Sequence, residues 1–555
     1  ATFARTYAWE RAAIPDRYGA EASGRESWAD CVIRVVDTAL ARLEAHGWAL
    51  DQEFCDNMAV SMFERRWTPP GRGLRNMGNP FTWERNGTPL FNCAATSTRA
   101  LSNERPADEF RWIFLALAHG TGVGYTTDGT LNILRDMQIQ RAEAPLVVED
   151  SREGWADALC AVVEAYCGLR PLPNGLDVSR VRPKGAPVKG LGGVASGPVP
   201  LLRAYQRLCA LHDRYTGRTT DSAYIVDVAG IMADAVVAGG TRRSATIALS
   251  SPEDALFGRL KAPGPDGWDN PRSRTRYAAN HSYFDPRAEQ FPQMVKQLDL
   301  YGEPGFAWLQ TARIFGRLKD PANWRDAGAI GYNPCVEMAL WFHELCNVCS
   351  IIVSNCRTKK QFFEAARYAA VYSMAVTTFD TFDPESTRVQ QQNRRIGVGL
   401  TGVATALDRL GAPEIERWMD EGYGVVRAQA DEVADAIGAP RPIKYTTVKP
   451  EGSASLVAGC TPGGHRTHAP FYIRRVEFSD GSPVLAELER CGYRVEPSAY
   501  KADTSVVEFP VKEMAVRTKA DAPVREKFED IARLQYFWAD NAVSVTIDYA
   551  PDEAD

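Results

Sequence analysis

The sequence lacks any run of about 18 apolar residues, which is the length that a helix needs to cross a bilayer. Residues 1–11 also lack the basic stretch followed by an apolar core that an export signal requires. Both absences favour a cytoplasmic protein with no membrane partner.

A surplus of positive charge is missing as well. The 64 Lys and Arg residues are outnumbered by 70 Asp and Glu residues, which gives a net charge of −6. Proteins that bind nucleic acids usually present a basic face, so we expect no nucleic-acid partner. A polyanionic ligand must instead be held by local Arg or Lys side chains or by helix N-termini.

Dense cysteine clusters are absent. The 12 Cys residues are spread over 555 positions, which favours reduced thiols, some of them redox-active, over a disulfide framework. Cys460 lies near His465 and His468 in the sequence. A zinc site needs four ligands, however, and no further Cys or His pair at a suitable spacing is obvious. No metal site is therefore predicted.

The chain does have the length and composition of a large globular protein. With 45% hydrophobic and 24% charged residues, it can bury the core of about three or four domain equivalents or of one large α/β barrel. Residues 1–66 are predicted to form a helical region, in which Ser27 precedes an amphipathic pattern through Cys31, Val35 and Leu40.

Two short segments follow this helical region. The stretch 67–73, which begins with Trp67-Thr68, is too rich in Pro and Gly for a helix and is predicted to be a loop. Residues 89–96 have the pattern of a short buried strand that carries Cys93.

Three glycines fall within five residues directly after a predicted helix that ends near His119. The segment is Gly120-Thr121-Gly122-Val123-Gly124, and its glycines let the backbone approach another group closely. The dinucleotide fingerprint G-x-G-x-x-G is absent, so the segment does not favour a Rossmann fold.

The most informative stretch is 331–337, Gly-Tyr-Asn-Pro-Cys-Val-Glu. Its Gly and Pro predict a loop, and in an extended loop Asn333, Cys335 and Glu337 would share one face. There the amide could orient a hydroxyl and the carboxylate could take its proton, while the thiol could serve as nucleophile, metal ligand or hydrogen-atom carrier. The alternative is a buried structural cysteine beside an exposed glutamate.

The loop 190–198 is a candidate phosphate site. It contains Gly192, Gly193 and Ser196 and leads into a predicted helix, and a glycine-rich backbone before a helix N-terminus can cradle a phosphate. The alternative is a long surface connector.

Two other segments offer polar groups to a ligand. Thr241, Arg242 and Arg243 follow a pair of glycines, and guanidinium groups match phosphate oxygens, although a solvated Arg pair is the alternative. Asn280 and Ser282 lie in a segment with the pattern of a strand.

A third segment, 446–455, passes from an extended run through a Pro-bounded turn into small residues that open a helix. The free N–H groups of such a terminus can receive a phosphate. The residues at this turn are Pro450, Glu451, Gly452 and Ser453.

Taken together, these motifs resemble those of the ribonucleotide reductases, most closely the adenosylcobalamin-dependent class and its monomeric ribonucleoside-triphosphate reductases. The resemblance covers nearly the whole chain, because nine motifs occur in the family order. They are F-N-C at 91–93, H-G-T-G-V-G-Y at 119–125, G-G-V-A-S-G-P at 192–198, T-R-R-S at 241–244, N-P-C-V-E at 333–337, a second Cys at 346, N-R-R-I-G at 393–397, T-T-V-K-P-E-G at 446–452 and D-N-A-V-S at 540–544.

The resemblance implies a fold class as well. The expected fold is a ten-stranded α/β barrel, made of two five-stranded parallel halves set antiparallel, that spans residues 67–548. Residues 331–337 would form a finger loop inside it, and the acidic residues 549–555 would end the chain.

The resemblance also implies roles for the thiols. Cys335 would become a thiyl radical that removes the 3′ hydrogen of the ribose, Glu337 would take the 3′-hydroxyl proton, and Asn333 would hold the sugar hydroxyls. Cys93 and Cys346 would supply two electrons and end as a disulfide. A radical of this kind must be sheltered from water and stray reductants, which a loop inside a closed barrel provides.

The implied ligands fall on the segments described above. Adenosylcobalamin would lie against residues 120–124, and the ribonucleoside triphosphate against Thr68, Asn280, Ser282 and residues 450–453. A deoxynucleotide effector would bind the loops 190–198 and 240–244, and thioredoxin or a small dithiol would be the reductant. At Glu451 the family more often has Ser or Thr, and a carboxylate beside phosphate must point away or be paired.

The chain departs from the family in two regions. The segment between Cys93 and Trp155 is shorter than in the monomeric reductases, and the family continues beyond Asp555 into a last barrel segment and a tail with a Cys pair. We expect that end to be lost or supplied by a second polypeptide. The alternatives are the large subunit of an oxygen-dependent reductase and a catalytically incomplete nucleotide-binding fragment.

Overall fold

The computed structural model of the protein describes most of the chain. The described residues are 8–9, 14, 17, 19, 21–49, 51–80, 82, 86–186, 195–236, 245–262, 275–277, 279–452, 454–480, 482–499, 504–513, 517–550 and 553.

The strands are short and lie mostly in the interior. In chain order they are β1 (Trp67–Thr68), β2 (Cys93–Thr96), β3 (Gly122–Thr126), β4 (Leu146–Val147), β5 (Leu176–Asp177), β6 (Thr246–Ser250), β7 (Ala279–Phe284), β8 (Gly305–Ala307), β9 (Gly331–Tyr332), β10 (Ala339–Leu340), β11 (Leu345–Cys346), β12 (Val348–Ile352), β13 (Gly397–Thr401), β14 (Phe471–Ser479), β15 (Val495–Pro497) and β16 (Thr504–Lys512).

Helices connect these strands. They are α1 (Trp28–Glu44), α2 (Gln52–Phe63), α3 (Gly71–Asn76), α4 (Asp108–Ala118), α5 (Arg152–Tyr166), α6 (Val199–Asp213), α7 (Ser222–Val236), α8 (Phe291–Tyr301), α9 (Leu309–Ile314), α10 (Lys359–Val376), α11 (Pro384–Asn393), α12 (Val403–Leu410), α13 (Ala412–Ala436), α14 (Ala454–Ala458), α15 (Pro483–Arg490) and α16 (Val524–Phe537). None of the helices in the described part of the chain combines the length and the apolar character needed to cross a membrane.

The first structural core is a five-stranded parallel sheet. Its strands have the order β2-β3-β6-β7-β8, and every neighbouring pair is parallel. Strands such as β3 and β6 are buried along their whole length, as expected for a parallel sheet covered on both faces.

A second group of parallel strands follows in the sequence. β12 pairs with β13 in parallel, and single parallel bridges continue the series from Val398 to Thr446 and from Val448 to Val543. β11, which leads directly into β12, pairs antiparallel with β2. The two groups of strands therefore run in opposite directions and meet at this pair.

The N-terminal helices follow the predicted pattern. Ser27 caps α1 by accepting a hydrogen bond from the Asp30 backbone N–H, and the Asp30 carboxylate accepts one from the Ser27 backbone N–H. Cys31, Val35 and Leu40 are buried, as the amphipathic pattern predicted.

The prediction of an uninterrupted loop at 67–73 was wrong. β1 occupies its start and α3 begins at Gly71, because Pro69 and Pro70 lie before the helix, where a missing N–H costs nothing. A second element was not predicted at all. The antiparallel sheet β14-β16-β15 packs with α15 around a small core of its own, which contains Phe478, Leu488 and Val507.

A buried cation links distant parts of the chain. The fully buried Arg395 guanidinium donates hydrogen bonds to the carboxylates of Asp326 and Glu344 and to the amide oxygen of Asn541. Glu344 also accepts from the Trp341 backbone N–H at 2.7 Å, one residue beyond β10. The network therefore fixes the base of the β9–β10 hairpin to both groups of strands.

We expect Arg395→Met to destabilise the protein by about 3–5 kcal/mol, because the buried Glu344 carboxylate loses its counter-charge and the buried Asp326 carboxylate keeps only Lys444, at 3.4 Å. The free energy of unfolding in denaturant measures this loss. The matched control is Arg388→Met, since the Arg388–Glu385 ion pair is solvent-exposed and such pairs contribute less than about 1 kcal/mol. Equal losses in both variants would contradict the role given to the network.

Candidate active site

The candidate site is built on the hairpin β9–β10. Tyr332 of β9 pairs with Ala339 of β10. Two hydrogen bonds close the turn between them: the Asn333 N–H donates to the Met338 carbonyl at 3.2 Å, and the Met338 N–H donates to the Asn333 side-chain oxygen at 3.0 Å. A loop is therefore present only after β9, at 333–337, and it is a tight turn, so the prediction of an extended segment over 331–337 was wrong. Val336 has φ 62°, a left-handed conformation that is rare for a β-branched residue.

Glycines of β3 lie directly beneath this hairpin. A Cβ atom on Gly124 would fall 1.8 Å from the Tyr332 carbonyl oxygen, and one on Gly122 would fall 3.1 Å from Pro334 Cγ. The close approach of the hairpin backbone thus explains why both of these positions are glycine. On the other side, the Glu337 carbonyl accepts hydrogen bonds from the Thr447 hydroxyl and the Ala542 N–H, at 2.7 and 3.0 Å.

The structure brings together the three thiols of the sequence prediction. Cys93 and Cys346 are directly opposite each other in the antiparallel β2–β11 pair. Their sulfurs and a Glu337 carboxylate oxygen all lie within 4.8 Å of one another. Cys335 is close enough to Cys93 for each thiol to shift the pKa of the other, and the Asn333 amide contacts the Cys346 sulfur at 4.0 Å. Cβ atoms of facing residues lie close enough for a disulfide after a small adjustment.

Accessibility separates Cys335 from its neighbours. Asn333 and Glu337 are 0% and 1% exposed, whereas the Cys335 side chain is exposed. The exposure of the Cys335 side chain contradicts the expectation that this thiol is sheltered from water. A ligand can therefore reach this sulfur from outside, while the other groups stay sheltered.

The ionisation of the site groups is strongly perturbed. Burial raises the pKa of the Glu337 carboxyl above its usual range, although the Asn333 hydrogen bond and the Lys449 charge oppose this.

The two neighbouring thiols are perturbed as well. The hydrogen bond to Cys93 and the nearby Glu337 charge raise the pKa of Cys335, with burial adding to the effect. The pKa of Cys93 is also raised well above its usual value. Its contact with Cys335 lowers this pKa, but its hydrogen bond to Cys346 and its burial outweigh that contact. Cys335 and Cys93 are therefore protonated thiols at neutral pH, and the S–H bond of each is available for hydrogen-atom transfer.

The predicted phosphate segment lies beside these groups. Glu451 is 5% exposed and has φ 51°, and its carboxylate accepts a hydrogen bond from the Ser350 hydroxyl and pairs with the Lys449 ammonium at 3.3 Å. The carboxylate is therefore paired, as a phosphate site next to it requires. Ser350 is the strand partner of Thr68, which brings the predicted residue Thr68 to the same place.

The remaining predicted substrate residues lie on β7 and at the start of α14. The Asn280 amide donates a hydrogen bond to the Pro334 carbonyl at 3.2 Å, and Ser282, two positions along β7, is buried. α14 begins after Ser453 and has five residues, so it offers only a short helix dipole. Ser453 itself lies outside the described residues.

The predicted effector residues are mostly beyond the described part of the chain. Gly192, Gly193, Thr241, Arg242 and Arg243 lie outside it. Ser196 is described, and its hydroxyl donates to the Gly197 carbonyl at 3.1 Å.

Sequence reasoning missed three residues that contact or face the central groups. They are Thr447, which holds the Glu337 backbone, Lys449, which faces both Glu337 and Glu451, and Ser350. Alternation along the extended run 446–450 could have identified the first two, because Thr447 and Lys449 are two positions apart and share a face.

Taken as a class, the protein is an α/β enzyme candidate with three thiols and a carboxylate around an accessible hairpin loop. Two family profiles match it. The profile described as "B12-dependent ribonucleotide reductase, insertion domain" matches residues 129–211, and "Ribonucleotide reductase, barrel domain" matches residues 297–413. A segment corresponding to the insertion domain is therefore present at 129–211. Its first part overlaps the segment between Cys93 and Trp155, which was expected to be shorter than in the monomeric reductases.

Relatives match along the whole chain. An adenosylcobalamin-dependent ribonucleoside-triphosphate reductase from Euglena gracilis is 31% identical over 99% of this chain and 75% of its own length. A probable enzyme of the same name from Dictyostelium discoideum is 30% identical over 96% of this chain and 73% of its own length. The chain belongs to the family of adenosylcobalamin-dependent ribonucleoside-triphosphate reductases.

A solved structure shows that the fold is shared. A B12-dependent (class II) ribonucleotide reductase superposes with a TM-score of 0.85, covering 100% of this chain and 87% of the other, at 24% sequence identity.

Proposed function

We propose that the protein reduces ribonucleoside triphosphates to 2′-deoxyribonucleotides by thiyl-radical chemistry at Cys335, with adenosylcobalamin as its cofactor. The family membership supports the activity and the cofactor. The single observation that carries the residue assignment is the convergence of Cys93, Cys346 and Glu337 within 4.8 Å, next to the accessible thiol of Cys335.

In the proposed reaction, the Cys335 thiyl radical removes the hydrogen atom from C3′, which breaks a C–H bond and forms an S–H bond. Glu337 then accepts the 3′-hydroxyl proton, and the 2′-hydroxyl leaves as water after gaining a proton. The unpaired Glu337 oxygen suits this role, because Oε2 is buried without a hydrogen-bond partner among the described residues.

Two electrons complete the reduction. Cys93 and Cys346 supply them and become a disulfide, and of their two hydrogens one leaves as the proton gained by the water and one goes to C2′. Glu337 returns its proton to the 3′ oxygen, while Cys335 returns a hydrogen atom to C3′ and is left as the radical again. Asn333 is suited to hold the sugar hydroxyls, because its backbone and side-chain oxygen are fixed by the turn and its amide N–H₂ faces the Cys346 sulfur.

The residues present fit the cofactor at one place. The exposed Cys335 thiol next to the glycine-rich strand β3 is the point where an external group can exchange a hydrogen atom with the site. When bound, adenosylcobalamin supplies the one-electron oxidation that turns this thiol into a radical. We propose that residues 120–124 lie against it, and that thioredoxin or a small dithiol reduces the chain after turnover.

The architecture that we propose is a ten-stranded barrel over residues 67–548, preceded by the helical region 1–66 and followed by the acidic residues 549–555. The five-stranded parallel sheet and the oppositely directed β12–β13 group, joined at β2–β11, support two antiparallel halves. The insertion-domain match at 129–211 supports a deoxynucleotide effector site near Ser196.

The disulfide step can be tested directly. We expect the prereduced protein, given cofactor and one ribonucleoside triphosphate but no dithiol, to form about one deoxynucleotide per chain and to link Cys93 to Cys346. Peptide mapping by mass spectrometry identifies the link. Cys346→Ser should form no such link and should lose sustained turnover with dithiothreitol by about 10²-fold or more.

Cys356→Ser is the matched control, because Cys356 is also a buried thiol and lies outside the site. It should keep both the disulfide and the turnover. Product formation without any Cys93–Cys346 link would contradict the proposed reductant.

A further inference from the structure

The segment 446–452 forms one wall of the site, and one of its residues has no role in the proposed reaction. The Thr447 hydroxyl donates to the Glu337 carbonyl at 2.7 Å. Lys449 lies two positions later and therefore projects from the same face of this extended run. Its side chain is only 13% exposed, so its ammonium group is largely shielded from solvent.

Lys449 pairs with one carboxylate and acts electrostatically on a second. Its ammonium pairs with Glu451 at 3.3 Å, and it interacts electrostatically with Glu337 and Cys335. Glu451 is held in turn by the Ser350 hydroxyl and keeps a left-handed backbone conformation, which is costly for a residue other than glycine. The surrounding contacts thus fix a Glu337–Lys449–Glu451 charge cluster inside the site.

We infer that Lys449 and Glu451 are positioning residues that together set the ionisation of Glu337, the group that takes the 3′-hydroxyl proton. This inference rests on the proposed function of Glu337. Lys449 favours the carboxylate form of Glu337, whereas Glu451 opposes it and also holds the Lys449 ammonium in place.

Lys449 and Glu451 shift the pKa of Glu337 in opposite directions. Burial raises the pKa of Glu337, the positive charge of Lys449 lowers it, and the negative charge of Glu451 raises it. The pKa of Lys449 is itself raised, because the charges of Glu451 and Glu337 outweigh its burial, so the ammonium stays protonated across the range in which Glu337 titrates. Glu337 works as a base only when ionised, so its activity is lost on acidification.

Other groups also face Glu337. They are Cys335 and Asn333 from its own turn, Cys93 from β2 and Cys346 from β11. The pKa values of Cys335 and Cys93 are raised, so these thiols are neutral where Glu337 titrates. The partly buried Arg72 guanidinium faces Cys93 and Cys346 from α3. The charged groups that act most strongly on Glu337 itself among the described residues are Lys449 and Glu451.

The test is the pH dependence of single turnover by the prereduced protein, measured without an external dithiol that would titrate in the assay. We expect Lys449→Met to move the acid limb of this profile upward by about one pH unit, and Glu451→Gln to move it downward by a similar amount. Lys360→Met is the matched control, because Lys360 is a surface lysine with an 86% exposed side chain, and its profile should coincide with that of the parent protein.

A second measurement needs neither cofactor nor substrate. Infrared titration of the cofactor-free protein follows the band of a buried protonated carboxyl, which Glu337→Gln should remove. Its midpoint should shift in the same opposite directions in the Lys449 and Glu451 variants. A general structural defect would move both variants the same way or leave both midpoints unchanged, and either result would overturn the inference.

The remaining outcomes separate this inference from the proposed function. If Lys449 only binds substrate phosphate, Lys449→Met raises KM while the acid limb and the infrared midpoint stay in place, which rejects the inference. If Glu337→Gln retains full turnover, the proposed role of Glu337 fails first. If Glu337→Gln is inactive and the other two variants shift nothing, only the charge-cluster inference fails.

Discussion

Replacing Cys335 by Ser should reduce deoxynucleotide formation by at least about 10⁴-fold. An O–H bond is much stronger than an S–H bond, so a hydroxyl at this position cannot become the radical that removes the C3′ hydrogen. The change is nearly isosteric, and the side chain is exposed at the tip of the turn, so the fold should be unaffected. Product formation under anaerobic conditions with cofactor, nucleotide and dithiothreitol measures the effect.

Cys491→Ser is the matched control for this substitution. Cys491 is the other exposed cysteine among the described residues and lies at the end of α15, in the small antiparallel sheet region. It should keep the parent rate. If Cys335→Ser retained more than about a tenth of the parent rate, the radical role of Cys335 would be rejected.

Gly124→Ala should lower turnover by about 10²-fold, because it displaces the hairpin that carries Cys335. The new Cβ would lie 1.8 Å from the Tyr332 carbonyl oxygen, a backbone atom that cannot rotate away. A misplacement of about 1 Å at reacting groups can reduce a rate by this amount. The clash should also destabilise the cofactor-free protein by about 1–3 kcal/mol.

Gly424→Ala provides the comparison. Gly424 lies in α13 and has nothing within 4 Å of its added Cβ, so this variant should be as stable as the parent or more stable by about 0.5–1 kcal/mol. Thermal unfolding without cofactor separates a hairpin clash from a loss of cofactor binding at the same glycine. An unchanged melting temperature for Gly124→Ala would contradict the packing account.

Local patterns predicted the elements that depend on neighbouring residues. The cap at Ser27 and the burial of Cys31 and Val35 follow from helical periodicity, and the presence of a loop within 331–337 follows from the Gly and Pro of that stretch. The tight turn of that loop did not follow, because it depends on Asn333 closing the turn through Met338. A side-chain hydrogen bond of this kind is not visible in a pattern of alternating residues.

The contacts that assemble the site join residues far apart in the sequence. Glu337 and Thr447 are 110 positions apart, and Cys93 faces Cys346 only because β11 pairs with β2. Spacing alone could not bring these groups together, and the resemblance to a family supplied the proximity of the thiols. It did not supply Lys449, and it left Glu451 as an unexplained departure, which its pairing with Lys449 and Ser350 now accounts for.

The most direct test of the central claim is electron paramagnetic resonance on rapid mixing of the protein with adenosylcobalamin and a ribonucleoside triphosphate. A sulfur-centred radical on Cys335 predicts a signal that narrows when the cysteines carry deuterium at Cβ. The signal should disappear in Cys335→Ser and persist in Cys346→Ser. A signal that survives in Cys335→Ser, or that does not respond to the deuterium, would contradict the assignment of the radical to Cys335.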